Sequence, residues 1–326
     1  MAAAAHRAVV LASGLAVAAA FVWATYYFFV LGSGPSLAPS AFLVYPFLAG
    51  GGAFAAWSIG RGHGRSFLQL WWEPSAWLRV ALMVGMQVAV LAATYAAGAV
   101  DTSLLSLVGD VVLTPVLLLA IFRENVARLR SFAFVPGLAL ATVGAGLTIV
   151  GGESLRPLEG WAWLVAPAVP VTVAVYFLLA ARASLKVPMD AVIAQVTLAS
   201  GGVAVILAPL LPGGLSGLVV TSPADAAVLI ALGITSFFFA PLLYFAGIER
   251  VGLMLPALLM ATIPIFTLLL SWLVLRELPP WIAILGVPVA VLGAALASRG
   301  EHRPWSPEYP LRAVVRERDA DPTETR

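Results

Sequence analysis

The sequence predicts an all-α integral membrane protein of ten transmembrane helices, arranged as two inverted five-helix repeats. Three observations carry that prediction: the composition, an internal repeat and the placement of Arg and Lys. The 326-residue chain is 61% hydrophobic and 10% charged, with mean hydropathy +1.00. Soluble domains average roughly 25% charged residues, so this chain needs an apolar solvent around it. Residues 95–147 recur, without a gap, as residues 244–296, an offset of 149. Tyr95 falls on Tyr244, Gly98 on Gly247, Pro115 on Pro264, Gly137 on Gly286 and Gly144 on Gly293. The same offset lays Tyr27-Phe28 on Tyr176-Phe177, so the repeat unit is half the chain. Leu and Ala coincide often among apolar helices, whereas paired Pro, Gly and Tyr at one offset are informative.

The first apolar run, about 8–31, follows His6 and Arg7. Its start resembles a signal peptide, with Ala16-Val17-Ala18 as a candidate cleavage site. The run continues through Val30, however, long enough to cross a ~30 Å hydrocarbon layer at ~1.5 Å per residue, and it is read as a retained helix 1. Further spans are expected at about 39–59, 77–97, 103–122, 133–151, 161–181, 190–209, 226–246, 253–275 and 281–298. In the second, Gly50-Gly51-Gly52 suits close contact with another helix. Trp71, Trp72, Trp77 and Trp281, near span ends, suit interface belts. The spans divide into a first repeat, 1–152, and a second, 153–298. Residues 299–326 carry both signs of charge and four prolines, with too little apolar surface for a core, and read as a disordered cytoplasmic tail.

Cationic side chains set the orientation. With the N-terminus inside, the inner loops receive Arg61, Arg65, Arg123, Arg128, Arg130, Arg182, Lys186, Arg250, Arg299 and Arg303. The outer loops receive Arg156 and Arg276. Both termini are therefore expected in the cytoplasm. Because each repeat has an odd number of crossings, the second half enters the membrane upside down relative to the first, an arrangement typical of alternating-access transporters.

Asp110 is the one acidic residue expected deep inside a span, about seven residues beyond Ser103 and roughly 10 Å from the outer side. A carboxylate facing lipid costs several kcal/mol, so Asp110 should face protein or a cavity. Ser106, Asp110 and Thr114, at i, i+4 and i+8, share one helical face. Asp110 then either binds a cationic substrate or carries a proton, or is a packing residue hydrogen-bonded to Gln87 or a hydroxyl. The equivalent positions of the second half, Leu255, Leu259 and Ile263, are apolar, so the architecture does not require the stripe.

Other polar residues recur inside the spans: Gln87 and Thr94, Thr172 and Tyr176, Thr267 and Ser271, and Gln195. With Trp23, Tyr27, Tyr95 and Tyr244 they could form an aromatic pocket with a few polar anchors, the usual makeup of a small-molecule site. The candidate substrate-binding set is therefore Asp110, Gln87, Thr114, Ser106, Trp23, Tyr27, Tyr95, Tyr176, Gln195 and Tyr244. Each is also readable as a hydrogen-bonded packing residue. Pro115 and Pro264 free the carbonyls of Val111 and Met260, which either face a path for substrate or only shape the bundle. Gly137, Ala141 and Ala145, repeated as Gly286, Ala290 and Ala294, offer small-residue faces for packing helices 5 and 10, or for a homodimer instead of a monomer.

Catalytic and cofactor signatures are absent from the sequence. There is no cysteine, the three histidines His6, His63 and His302 fall outside the spans, and no P-loop occurs. No enzyme activity, cofactor or metal is expected, and a net charge of +2 without a basic patch does not suggest nucleic acid.

Each half has a Tyr-x-Ala-Gly step before its fourth helix, a mid-helix Pro and a Gly-Ala pair in its fifth helix. The segment 264–277, Pro-Ile-Phe-Thr-Leu-Leu-Leu-Ser-Trp-Leu-Val-Leu-Arg-Glu, is followed by Trp281, Gly286 and Gly293-Ala294. Together these resemble the EamA branch of the drug/metabolite transporter superfamily, from helix 1 to about Ser298. The first half departs from that pattern: Glu124 lies nine residues after Pro115, against thirteen from Pro264 to Glu277, and Val111 stands where the family usually has Pro. The superfamily's small four-helix relatives use a glutamate in helix 1, and helix 1 here has no acid, so that mechanism does not transfer. The resemblance implies a secondary transporter in the inner or plasma membrane. It would export a small organic metabolite or drug-like molecule, driven by a proton or substrate gradient. A lipid-linked sugar flippase of the same fold, and a non-transporting membrane scaffold, are the alternatives.

Overall fold

A computed structural model describes residues 2–33, 37–114, 116–117, 133–151, 168–184, 186–251, 253–276 and 281–298. The regular elements among them are all helical. They are α1 (Ala2–Ser33), α2 (Pro39–Gly60), α3 (Gly64–Leu70), α4 (Pro74–Leu107), α5 (Phe134–Gly151), α6 (Ala168–Ala183), α7 (Met189–Leu207), α8 (Pro223–Ile234), α9 (Ala240–Val251), α10 (Met254–Leu259), α11 (Ile263–Leu270) and α12 (Trp281–Ser298). Wide π turns follow α4 (Val108–Leu113), α8 (Thr235–Phe239) and α11 (Ser271–Leu275).

Among the described residues, six helical stretches are long and apolar enough to cross a membrane: Arg7–Leu31, Pro39–Gly60, Pro74–Tyr95, Met189–Leu210, Pro223–Val251 and Leu255–Val274. Phe134–Gly144, Ala168–Ala183 and Ile284–Ala297 are shorter apolar helices. This is a multi-pass membrane protein. These nine fall on nine of the expected spans; of the tenth, 103–122, the described residues reach only to 117. Pro115, the start of the sixth span, the junction of the two repeats and the tail 299–326 lie outside the described residues.

One boundary differs from expectation. A break was expected between spans 77–97 and 103–122, yet helical hydrogen bonding continues through it in α4. A straight helix would separate Gln87 from Ser106 by roughly 28 Å, at ~1.5 Å per residue. Those two side chains instead reach the hydroxyls of Tyr26 and Tyr27, adjacent residues whose ring centroids are 5.8 Å apart. α4 is therefore not straight between Gln87 and Ser106. Pro264 also differs from the expected mid-helix kink. A 3₁₀ turn (Met260–Thr262) precedes it, placing the ring in the first turn of α11, where an absent N–H leaves no bond unmade.

The packing follows from the glycines. α5 and α12 run antiparallel: Gly137 faces Ala297, Gly144 faces Ala290 and Gly293 faces Ala141. A Cβ on Gly144 would stand 2.2 Å from the Ala290 nitrogen and 2.7 Å from the Gly286 carbonyl. A Cβ on Gly293 would stand 2.1 Å from the Ala141 nitrogen and 2.7 Å from the Gly137 carbonyl. Shifted by 149 residues, one set of contacts becomes the other. The small-residue faces of helices 5 and 10 thus meet each other within the chain. α2 packs on α7 in the same antiparallel manner, Gly51 against Leu198 and Gly201 against Leu48, while Gly50 admits the backbone of Gly233 and Phe237. Reciprocity extends further: α1 lies on α9 and α11, and α6, its counterpart, lies on α4 and the π turn after it. Trp72, Trp77 and Trp281 are exposed, as interface rings would be, and Trp71 packs between Phe67 and Trp77.

Candidate substrate site

Among the described residues, α1, α4, α6, α7, the turn Thr235–Phe239, α9 and α11 surround one central cavity. Its empty volume is ≈ 760 Å³, part of it open to solvent. Aromatic rings form much of its wall. Trp23 packs edge-on against Phe177 and Tyr244 at 6.0 and 5.4 Å, and Phe177 meets Tyr244 at 5.0 Å. Tyr26 contacts Phe237 at 6.1 Å. Methionines 83 and 86, Val90, Val173, Ile193, Pro241, Phe245 and Ile263 complete an apolar lining.

Polar groups enter this wall at a few points. Trp23 Nε1 donates to the carbonyl of Ser236 at 3.0 Å, tying α1 to the π turn, whose widened hydrogen bonding leaves carbonyls available to side chains. Gln87 donates its amide to the Tyr26 hydroxyl. Ser106 Oγ lies 3.3 Å from the Tyr27 hydroxyl and donates to the Thr102 carbonyl at 3.2 Å. Asp110 is 3% exposed and lines the cavity, and its Oδ1 has no hydrogen-bond partner. Tyr27 and Tyr244 are its electrostatic neighbours. Gly109 lets this segment approach α6: a Cβ there would stand 2.6 Å from the Pro170 carbonyl. The absence of a side chain beside Asp110 is what brings the carboxyl to the cavity wall.

Of the ten candidate residues, Trp23, Tyr27, Gln87, Ser106, Asp110 and Tyr176 line the cavity. Four do not. Thr114 was expected on the face of Ser106 and Asp110, but the π turn shifts the phase, and its hydroxyl donates to the Gly109 carbonyl five residues back, at 2.9 Å. Tyr95, eight residues beyond Gln87, is 41% exposed on the outside of the bundle. Gln195 is fully buried in α7, with neither amide atom hydrogen-bonded. Tyr244 is fully buried behind Trp23 and Phe177, its hydroxyl without a partner. Gln87, one of the partners considered for Asp110 as a packing residue, donates to Tyr26 instead. Sequence reasoning missed Tyr26, Phe177 and Ser236. Tyr26 and Phe177 adjoin residues that were chosen, and Ser236 with Thr235 forms a pair of hydroxyls in an otherwise apolar run.

Residues 160–299 match the family model described as the EamA-like transporter family. No curated protein matches the sequence. A solved structure titled only "Crystal structure of protein" superposes with TM-score 0.71 over 90% of this chain and 99% of its own, at 22% identity, and so shares the fold. The EamA-like half supplies Tyr176, Phe177, Ile193, Ser236, Phe237, Pro241, Phe245 and Ile263 to the cavity wall. Asp110, Gln87 and the three rings of α1 come from the residues before it. The site therefore needs both halves of the chain.

Proposed function

We propose that the protein is a secondary transporter, exporting a small organic metabolite or drug-like molecule by rocking of two inverted five-helix halves about the central cavity. The observation that carries this reading is Asp110, a buried carboxyl with an unpartnered oxygen, set in an aromatic cavity shared by both halves. Removing a polar group from water without a partner costs several kcal/mol, which a proton or a substrate donor placed at Oδ1 would relieve. A carboxyl that alternates between those two partners couples substrate movement to proton movement. The reciprocal packing of α5 on α12, and of α1 and α6 on each other's half, supports the inverted arrangement. Antiparallel counterparts related by a two-fold axis across the bundle enter a bilayer from opposite sides. The cationic loop residues support an inner or plasma membrane location with both termini in the cytoplasm.

Asp110→Asn keeps the size of the side chain and removes its ionisation. In proteoliposomes the variant should lose pH-gradient-driven movement of any substrate the wild-type protein carries. Transport by Asp110→Asn with wild-type kinetics and wild-type pH dependence would show that Asp110 is a packing residue.

A further inference from the structure

Taking the cavity as the transport site, we infer that Arg79, one helical turn beyond the lining residue Met83, is its second charged anchor beside Asp110 and receives a carboxylate of the transported molecule. Arg79 lies inside α4, the one charged residue of the span Pro74–Tyr95, and is 3% exposed. Its Nη1 donates to Ser75 Oγ at 3.2 Å, and Nη2 is 3.8 Å from a carboxylate oxygen of the half-exposed Glu73, an ion pair too long for a hydrogen bond. Nε and Nη2 have no hydrogen-bond partner. These two nitrogens form one edge of the planar guanidinium, the edge that grips a carboxylate with two parallel N–H···O bonds. Leaving that edge buried and unbonded is costly, and a carboxylate is the group that fits it.

Position ties this edge to the cavity. Arg79, Met83, Met86 and Val90 recur at i, i+4, i+7 and i+11, so Arg79 shares the face whose next three members line the cavity. Tyr176, a lining residue of α6, lies near the guanidinium. Arg79 precedes Gln87 by eight residues, or about 12 Å along the helix, toward the Pro74 end. The site then has a cationic anchor at one end, Asp110 beyond Gln87 and Tyr27, and rings between. It suits a small organic molecule with an anionic group separated by an apolar body from the part that meets Asp110.

The test uses the full-length protein in detergent and three probes with one shared ring: benzoate, benzylamine and benzyl alcohol. Binding is read by isothermal titration. Benzoate should bind wild-type protein more tightly than benzyl alcohol does. Arg79→Met should weaken benzoate at least roughly tenfold and leave benzylamine unchanged, and Asp110→Asn should weaken benzylamine instead. Arg79→Lys, which keeps the charge without the fork, should fall between, and it carries the test should Arg79→Met not fold as judged by size-exclusion elution. Unchanged benzoate binding in the Arg79 variants, or a wild-type protein that binds benzylamine and ignores benzoate, overturns the Arg79 assignment and leaves the role of Asp110 standing. A wild-type protein that binds neither charged probe contradicts both.

Discussion

Gly144→Ala adds one methyl group at one of the tightest points of the α5–α12 contact. Its Cβ would stand 2.2 Å from the Ala290 nitrogen, 2.6 Å from the Ala290 Cα and 2.7 Å from the Gly286 carbonyl. Comfortable separations are about 3.5–4.0 Å, so the helices must part by more than an ångström, since every obstructing atom is backbone. Overpacking of this kind costs about 1–3 kcal/mol, and backbone obstruction places it at the upper end. The better helix propensity of Ala returns about 1 kcal/mol, leaving a net loss of roughly 2 kcal/mol. That corresponds to a fall in Tm of roughly 4–8 °C, at ~2–4 °C per kcal/mol. Gly293→Ala meets the same atoms of the opposite half at 2.1, 2.6 and 2.7 Å, and should cost the same within error. Gly52→Ala and Gly146→Ala, whose Cβ would meet nothing within 4 Å, should be neutral or slightly stabilising. Tm by dye-binding fluorescence in detergent reads all four. The reasoning is refuted if Gly144→Ala is as harmless as Gly146→Ala, or if the two mirror variants differ by more than a few degrees.

Other consequences concern the site and one end of the bundle. Gln87→Leu strands the Tyr26 hydroxyl in the cavity wall, a cost of about 1–3 kcal/mol. Adding Tyr26→Phe should recover part of that loss, and thermal denaturation of the double-mutant cycle checks it; additive effects would mean that the pair does not interact. His63, in the turn after α2, holds Asp190 at the start of α7 through Nδ1, 2.9 Å from each carboxylate oxygen. His63→Ala leaves Asp190, 8% exposed, with the N–H of Ala191 as its remaining described partner, and should lower Tm by several degrees. An unchanged Tm would show that solvent replaces the imidazole freely.

How far the sequence discloses this structure depends on what each residue reports. Composition and hydropathy locate apolar helices because lipid leaves the backbone few alternatives. The offset of 149 residues anticipates the α5–α12 contact, since Gly137, Ala141, Gly144, Ala290 and Gly293 recur at the spacing that puts small residues on one face. Asp110, Ser106 and Gln87 are legible because a polar side chain in an apolar run must find protein. Thr114 misleads because a face drawn at 3.6 residues per turn fails once a π turn intervenes, and nothing in Val108–Leu113 announces that turn. Gln195 misleads for another reason: α7 is buried nearly all round, so a buried amide there need not face the cavity. Arg79 escapes notice because a single cation barely lowers the mean hydropathy of its span. Its importance lies in what it fails to bond, which only coordinates disclose.

Transport by alternating access requires the cavity to open to one side of the membrane at a time. The chain contains no cysteine, so Ser236→Cys places one reactive thiol in the cavity wall. Its modification by a membrane-impermeant methanethiosulfonate, added to one side or the other of oriented vesicles, is the direct measurement. Alternating access should give reaction from one side at a given pH and a shift of reactivity to the other side when the pH gradient is reversed. Equal reaction from both sides at once, or from neither under any gradient, would contradict it.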